Sequence, residues 1–408
     1  ILTDIRDVLS SRVYRQLLDR WQAAGFRPSE RALPSDQFLA LDELLFDVSD
    51  EPPAVEVSSD DLAAVLYTSG TTAEPKGVCL THYNLVANAF QTRHWIPEIR
   101  YGRETFLAVL PLTHSYGMTT AMNIPIVIAA TIVLLPVFEL TQVLEHIRQY
   151  RPTIFPGVPS MYALINQAPD VRSYGLDSIR ACISGAAPLP VEVKEAFEKL
   201  THGKLVEGYG LTEASPVTHA NPLDGLEKAG SIGVPIPNTD ARIVDLVTGE
   251  DLPPGQIGEL LVRGPQVMRG YWPLEDAATA NAAFRDGWLV TGDVAVMDPD
   301  GFFTIISRKR DTIMTGEYSV YPRDVEEVLY ENNKVLEAAV VGVSAGEDGQ
   351  RVKAFVVPRP GTTLTKEELL ELCRKRLAEY AVPWEIEFRE ELPKSFIGKV
   401  LRRMLVEE

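Results

Sequence analysis

At 408 residues the chain exceeds what one hydrophobic core ordinarily supports, so two or more domains are expected, and 45% apolar beside 24% charged residues is ordinary for a globular protein with substantial cores. The 39 basic against 57 acidic residues leave a formal net charge of −18, which argues against nucleic acid or an anionic membrane surface as the main partner. Cys79, Cys182 and Cys373 are far apart and odd in number, which speaks against a disulfide framework or a zinc site and fits a reducing, cytoplasmic setting.

Residues 1–60 combine a helical pattern at Val13 to Ala24 with a polar approach, Asp50-Glu51-Pro52-Pro53, that reads as a loop. The chain opens on Ile1 in a segment that reads as already inside a domain, so a further N-terminal portion is expected. Leu62 to Leu66 reads as a buried strand, and Leu80 to Phe90 as a helix with Thr81 as its N-cap. Up to about residue 300, apolar runs at Phe106 to Leu110, Thr131 to Leu135, Thr153 to Phe155 and Ala181 to Ser184 alternate with helical stretches, the pattern of an α/β fold whose ligands gather at strand ends. Thr119 to Phe138 lacks charge, but Pro125, Pro136 and the β-branched run from Ile126 to Val133 favour buried helix and strand over a membrane span.

Beyond Thr239, short β-like runs separated by turn signals such as Pro253-Pro254-Gly255 and Asp298-Pro299-Asp300-Gly301 predict an antiparallel section. A charged joint, Ser307-Arg308-Lys309-Arg310-Asp311, leads into a compact α/β module: a helix at Pro322 to Asn332, strands at Ala338 to Val343 and Val352 to Pro358, and a helix at Lys366 to Tyr380. A charged turn is ordinarily solvated surface, but a few loop residues can also absorb a domain rotation.

The segment Tyr67-Thr68-Ser69-Gly70-Thr71-Thr72-Ala73-Glu74-Pro75-Lys76-Gly77 has the chemistry of a phosphate grip. Hydroxyls supply donors, the glycines let backbone N–H groups approach anionic oxygens, and Lys76 adds a point charge. It is not the G-x-x-x-x-G-K-[ST] loop of nucleoside triphosphatases, because here the lysine precedes its glycine. Taken alone, such a cluster is as readily an ordinary turn.

The same string resembles the phosphate-binding loop of the adenylate-forming superfamily, which includes acyl-CoA synthetases, luciferases and peptide-synthetase adenylation domains. Glu207-Gly208-Tyr209-Gly210-Leu211-Thr212-Glu213 and Trp288-Leu289-Val290-Thr291-Gly292-Asp293 resemble that family's next two nucleotide motifs. Arg308 with the segment to Pro322 resembles its hinge, and Pro393-Lys394-Ser395-Phe396-Ile397-Gly398-Lys399 its C-terminal lysine motif. The wording from Phe155 to Tyr162 and from Ser184 to Pro190 most resembles bacterial medium- or long-chain fatty acyl-CoA synthetases.

That resemblance implies an α/β fold with a large multi-subdomain N-terminal adenylation core over residues 1–307, truncated at its start, a hinge at 308–311 and a small mobile α+β C-terminal domain over 312–408. It implies ATP-dependent conversion of a fatty acid to an acyl adenylate, with pyrophosphate released, then transfer to coenzyme A. ATP, Mg2+ and coenzyme A are the implied cofactors, with peripheral membrane contact and a homodimer both compatible.

By the same resemblance, Thr68, Ser69, Gly70, Thr71, Thr72 and Lys76 hold phosphates; Gly185, Ala186 and Ala187 line the adenine; Gly208, Tyr209 and Gly210 permit close approach and stacking; Asp293 and Arg308 contact the ribose. Thr212 bonds the α-phosphate, Glu213 holds Mg2+, His114 gates the acyl pocket and Lys399 reaches the reacting centre. Each has a plainer reading by itself: Glu213 as a helix-start acid, Asp293 as a turn residue, His114 as a structural histidine, Lys399 as a surface lysine.

For the acid, attention falls on Pro111 to Gly117 and Phe155 to Tyr162, where the aspartate that amino-acid-activating relatives use to pair an ammonium is missing, and the apolar run from Met118 to Ile128 favours a fatty chain. Glu317 stands where relatives carry a glycine lining the thiol tunnel, which leaves open a carrier-protein thiol as acceptor. A nucleotide-binding remnant without activity is the reading from a different class.

Overall fold

The structure, a computed structural model, describes residues 51, 54–68, 75–316, 318–344, 349–394 and 400–406. The expected helix at 13–24, the loop at 52–53, and Ser69, Gly70, Thr71, Thr72, Glu317 and Lys399 lie outside the described residues.

Strand β1 (Leu62–Thr68) pairs antiparallel with β2 (Lys76–Thr81), Thr68 opposite Lys76. Lys76 therefore opens a strand that runs to Thr81, and the helix that the sequence predicts from Leu80 begins at His82. β1 is also only half-buried: Ala63, Val65 and Tyr67 alternate outward against Leu62, Ala64 and Leu66. Apolar residues on both faces had hidden that period of two.

Helix α1 (His82–Trp95) begins at a capping box in which the Thr81 hydroxyl accepts from the Asn84 N–H and the Asn84 side chain accepts from the Thr81 N–H. Its inward face is polar. Asn84 donates to the carbonyls of Pro265 and Val267, Asn88 exchanges hydrogen bonds with both backbone groups of Val217, and Gln91 donates to the Pro237 carbonyl. Tyr83, Val86 and Phe90 are exposed.

A parallel sheet forms the next layer. β3 (Thr105–Ala108) pairs with β4 (Thr131–Leu134), and Ile154 bridges β3 to β5 (Ala181–Ser184), which pairs with β6 (Lys204–Gly210). β7 (Val217–Ala220) and β8 (Val234–Pro235) extend it antiparallel. A parallel sheet must be covered on both faces, and adjacent residues here serve opposite sides. Leu107, Cys182 and Leu205 pack with helices α2 (Leu140–Tyr150), α3 (Pro159–Asn166) and α4 (Val191–Thr201); Phe106, Ile183 and Val206 pack with Ala89 of α1, Ile124 and Ile128.

The uncharged stretch from Thr119 divides into a π-helical turn (Met118–Asn123), a short helix (Ile124–Val127) and β4. Among the described residues no helix is long and apolar enough to cross a membrane.

The antiparallel section comprises β9 (Asp240–Val244), β10 (Ile257–Arg263), β11 (Gly270–Trp272), β12 (Phe284–Arg285), β13 (Trp288–Met297) and β14 (Phe303–Arg308). Its sheet runs β12-β13-β10-β9 with β14 on β13, while β11 joins β2. Val78, Leu80, Ala214, Leu260, Tyr271 and Phe303 share its core.

A small C-terminal domain has its own core, including Val325, Leu329, Val340, Ala354, Leu369, Cys373 and Ile386. It holds the hairpin β15 (Ile313–Thr315) and β16 (Tyr318–Val320), helix α5 (Pro322–Tyr330), β17 (Val335–Ser344), β18 (Gln350–Pro358), α6 (Lys366–Arg376) and β19 (Glu385–Phe388). α6 stops short of the expected Tyr380 because Leu377 turns extended, with φ −112° and ψ 156°. Arg323 donates to the Ile305 carbonyl of β14, and Arg402 pairs with Glu326 and lies 3.8 Å from Asp311. All three cysteines are buried free thiols. The α/β class, with a large core and a small C-terminal domain, is as the sequence predicts.

Candidate active site

Three expected nucleotide contacts converge. Asp293 and Arg308 are opposite in the β13–β14 register, with Arg308 Nε 2.7 Å from Asp293 Oδ1, and the Tyr209 hydroxyl at the end of β6 donates to Asp293 Oδ2 at 2.5 Å. Each carboxylate oxygen thus has a partner. The Asp293 side chain is 3% exposed and that of Arg308 34%, so the pair presents its guanidinium outward. The Tyr209 ring meets His219 edge-on at 6.0 Å, and His219, whose ring burial holds at a pKa of about 3, stays neutral.

The glycines flanking Tyr209 have a packing reason of their own. A Cβ at Gly210 would fall 2.1 Å from the Pro216 carbonyl oxygen, and one at Gly208 would fall 2.8 Å from the Ile183 methyl. Gly185 is likewise closed by the Tyr116 ring, 3.1 Å from an added Cβ. Tyr116 is fixed there by donating to the Ile183 and Gly157 carbonyls. Next to Gly185, Ala186 takes a left-handed backbone with φ 69°, ahead of Ala187 and Pro188.

Glu207, at the head of the Tyr209 motif, accepts the Leu189 N–H at 3.1 Å and so ties the 185–189 loop to β6. Burial pushes the Glu207 carboxyl up to about 7, against partial relief from that N–H and from the charge of Arg323.

On the other side of the site, Thr212 and Glu213 lie on a tight turn (Thr212–Ala214) anchored by buried Ala214. The Thr212 hydroxyl is 3.4 Å from that of Ser115, which follows His114. His114 caps the short helix Ser115–Gly117, its Nδ1 accepting the Tyr116 N–H at 3.1 Å. That bond requires the proton on Nε2 in the neutral ring. Glu213 Oε1 accepts the Tyr271 hydroxyl at 2.9 Å, and Lys76 Nζ lies 4.9 Å from the centroid of the same tyrosine ring. Thr68 donates to the Lys76 carbonyl at 3.4 Å, closing the mouth of the hairpin.

Tyr271 was not expected from the sequence. Its partners are 58 residues away at Glu213 and on β2, and Gly270-Tyr271-Trp272 has no polar pattern of its own. Within the expected acid-binding stretch, Phe155, Val158 and Tyr162 belong to buried cores, which assigns them to packing beneath the sheet. Met161 of that stretch is partly buried, packed against Leu110, Tyr116 and Val158.

Among the described residues no group of three or more His, Cys, Asp or Glu side chains could cage a metal ion. A single carboxylate, Glu213, with one oxygen already engaged, suits an ion that brings phosphate oxygens and waters with it, as Mg2+ does.

The AMP-binding enzyme model matches residues 8–272, and the model for the AMP-binding enzyme C-terminal domain matches residues 324–399. The chain is 50% identical over 350 residues to a long-chain-fatty-acid–CoA ligase of Bacillus subtilis, covering 85% of this chain and 62% of that protein. It is 40% identical over 357 residues to the Salmonella typhimurium protein of the same name, covering 86% and 63%. The chain therefore spans a little under two thirds of the length of these curated relatives. Among solved structures, ATP-bound MatB from Rhodopseudomonas palustris superposes with a TM-score of 0.80 at 32% identity, covering 86% of this chain and 69% of that one. O-succinylbenzoate coenzyme A synthetase of Bacillus subtilis, in complex with ATP and magnesium ion, gives 0.78 at 29%, covering 98% and 82%.

Proposed function

This chain belongs to the AMP-binding enzyme family, and on that premise we propose that it activates a medium- or long-chain fatty acid with ATP and passes the acyl group to coenzyme A. The observation carrying the reading is that Tyr209, close before Thr212 and Glu213 in the chain, meets the Asp293–Arg308 pair across 84 residues of sequence.

In the first step a carboxylate oxygen of the acid attacks the α-phosphorus, the bond to the bridging oxygen breaks, and pyrophosphate leaves with that electron pair. Such a reaction needs positioning and charge neutralisation more than covalent catalysis. Arg308, held by Asp293, faces the ribose, and the Tyr209 ring faces the adenine. The Thr212 hydroxyl donates to the α-phosphate and Lys76 serves the outer phosphates, a role shared by Ser69, Gly70, Thr71 and Thr72. Glu213 is the carboxylate for Mg2+, which when bound neutralises phosphate charge. Lys399 supplies the cation at the reacting centre, and His114 stands between nucleotide and acid. In the second step the coenzyme A thiol, losing its proton to solvent, attacks the acyl carbon, and AMP departs.

The domains implied are a core over 1–307, a hinge at 308–311 and a C-terminal domain over 312–408 that turns about Arg310 between the steps. Arg402, which opens a short helix at Arg402–Val406, lies beside Asp311 and supports coupling of that helix to the hinge. The buried, unpaired thiols support a reducing compartment, and we place the protein in the cytoplasm.

A second reading stops at the acyl adenylate and hands it to a carrier-protein thiol; the sequence observation favouring it is Glu317 at the tunnel position. A panel of fatty and aromatic acids, assayed for pyrophosphate and for thioester with and without coenzyme A, tests both. Pyrophosphate with fatty acids and a coenzyme A thioester is the expected result. Pyrophosphate without that thioester selects the carrier reading, and no pyrophosphate with any acid leaves a nucleotide-binding piece.

A further inference from the structure

Tyr271 is buried, at 8% exposure, on a three-residue strand whose register is set by β2: Tyr271 lies opposite Val78 and Trp272 opposite Gly77. That pairing puts it beside the strand that leaves the phosphate-grip hairpin. Its ring carries Lys76 over one face at 4.9 Å, while its hydroxyl donates to Glu213 Oε1 at 2.9 Å. The same segment holds the backbone of Glu213 as well, the Met268 N–H donating to the Glu213 carbonyl at 2.8 Å.

Resting on the ATP-dependent reading above, we propose that Tyr271 is a positioning residue that aims the Glu213 carboxylate at the metal of a metal–nucleotide complex and holds Lys76 on the opposite side of the same phosphates. A carboxylate with one oxygen pinned leaves the other oriented, and outer hydrogen-bond partners of this kind set ligand orientation and metal affinity. The ring does for Lys76 what the hydroxyl does for Glu213, since a cation over an aromatic face is attracted without being neutralised.

The test is Tyr271→Phe, which keeps the ring and removes one oxygen, with 4-fluorophenylalanine in place of Tyr271 as a second, near-isosteric variant. ATP binding is measured by calorimetry across a Mg2+ titration and again in EDTA, alongside the KM for the acid. The Mg2+ concentration for half-maximal ATP binding is expected to rise about 10- to 100-fold. ATP affinity in EDTA and the KM for the acid stay as in the wild type. An unchanged Mg2+ requirement, or equal losses with and without Mg2+, overturns the proposal and assigns Tyr271 to packing. A wild-type chain that binds ATP with no metal dependence overturns the functional reading together with it.

Discussion

The Arg308 guanidinium lies 2.7 Å from the Asp293 carboxylate, at directly opposed positions of β13 and β14. Asp293 is nearly closed to solvent and also accepts from Tyr209, so one acid orients both a cation and an aromatic ring.

Asp293→Asn keeps an acceptor for Tyr209 and deletes the charge that fixes Arg308. Hydrogen bonds to charged groups contribute about 1.5–3 kcal/mol, which corresponds to roughly a 10- to 100-fold rise in the KM for ATP. The KM for the acid should not move. Pyrophosphate release against ATP concentration reads the effect, and an unaltered KM for ATP would remove Asp293 from the nucleotide site.

Lys399→Ala is expected to slow acyl-adenylate formation by about 10²- to 10³-fold, the order lost with one preorganised donor at developing charge. The thioester-forming half-reaction, started from preformed acyl adenylate, should be affected far less. Single-turnover assays of each half separate the two, and equal losses in both would argue against a cation dedicated to the first step.

Glu207 makes stability depend on pH in a specified direction. Its carboxyl titrates near 7 in the folded chain against an ordinary value of 4.5. The folded state therefore holds a proton that the unfolded chain has already released, and stability falls as pH rises from about 4.5 through about 7. The full effect is at most about 3 kcal/mol, from 1.36 kcal/mol per pKa unit. Glu207→Gln, which keeps an acceptor for Leu189, should flatten that slope. Melting temperatures of both proteins at pH 5 and pH 8 check it, and parallel curves would show that burial at Glu207 is weaker than the geometry implies.

The local geometry of the candidate site was legible in part, because close backbone packing demands glycine and leaves a string that can be read. Gly208 and Gly210 flank Tyr209 where Ile183 and the Pro216 carbonyl press in, and Thr81 announced its helix through local capping chemistry. What escaped depends on partners distant in the chain. Tyr271 meets Glu213 and Lys76 only because β11 pairs with β2, and Lys76–Thr81 went unread as a strand because it lies between a Ser/Thr/Gly-rich segment and a helix. The burial of Phe155 and Tyr162 follows from helices α3 and α4 closing over the sheet, a fact of topology that a pocket-like sequence cannot reveal.

The polar inward side of α1 has a mechanical result. Methyl groups tolerate sliding, whereas amides keyed to single peptide groups do not. Asn88 gripping both backbone groups of Val217, with Gln91 on Pro237, leaves the helix one rotation and one axial height at which its bonds close. Since α1 grows directly out of β2 and Val217 opens the strand just past Glu213, the rod works as a calibrated spacer, setting how far the hairpin that carries Lys76 stands from the turn that carries the acid.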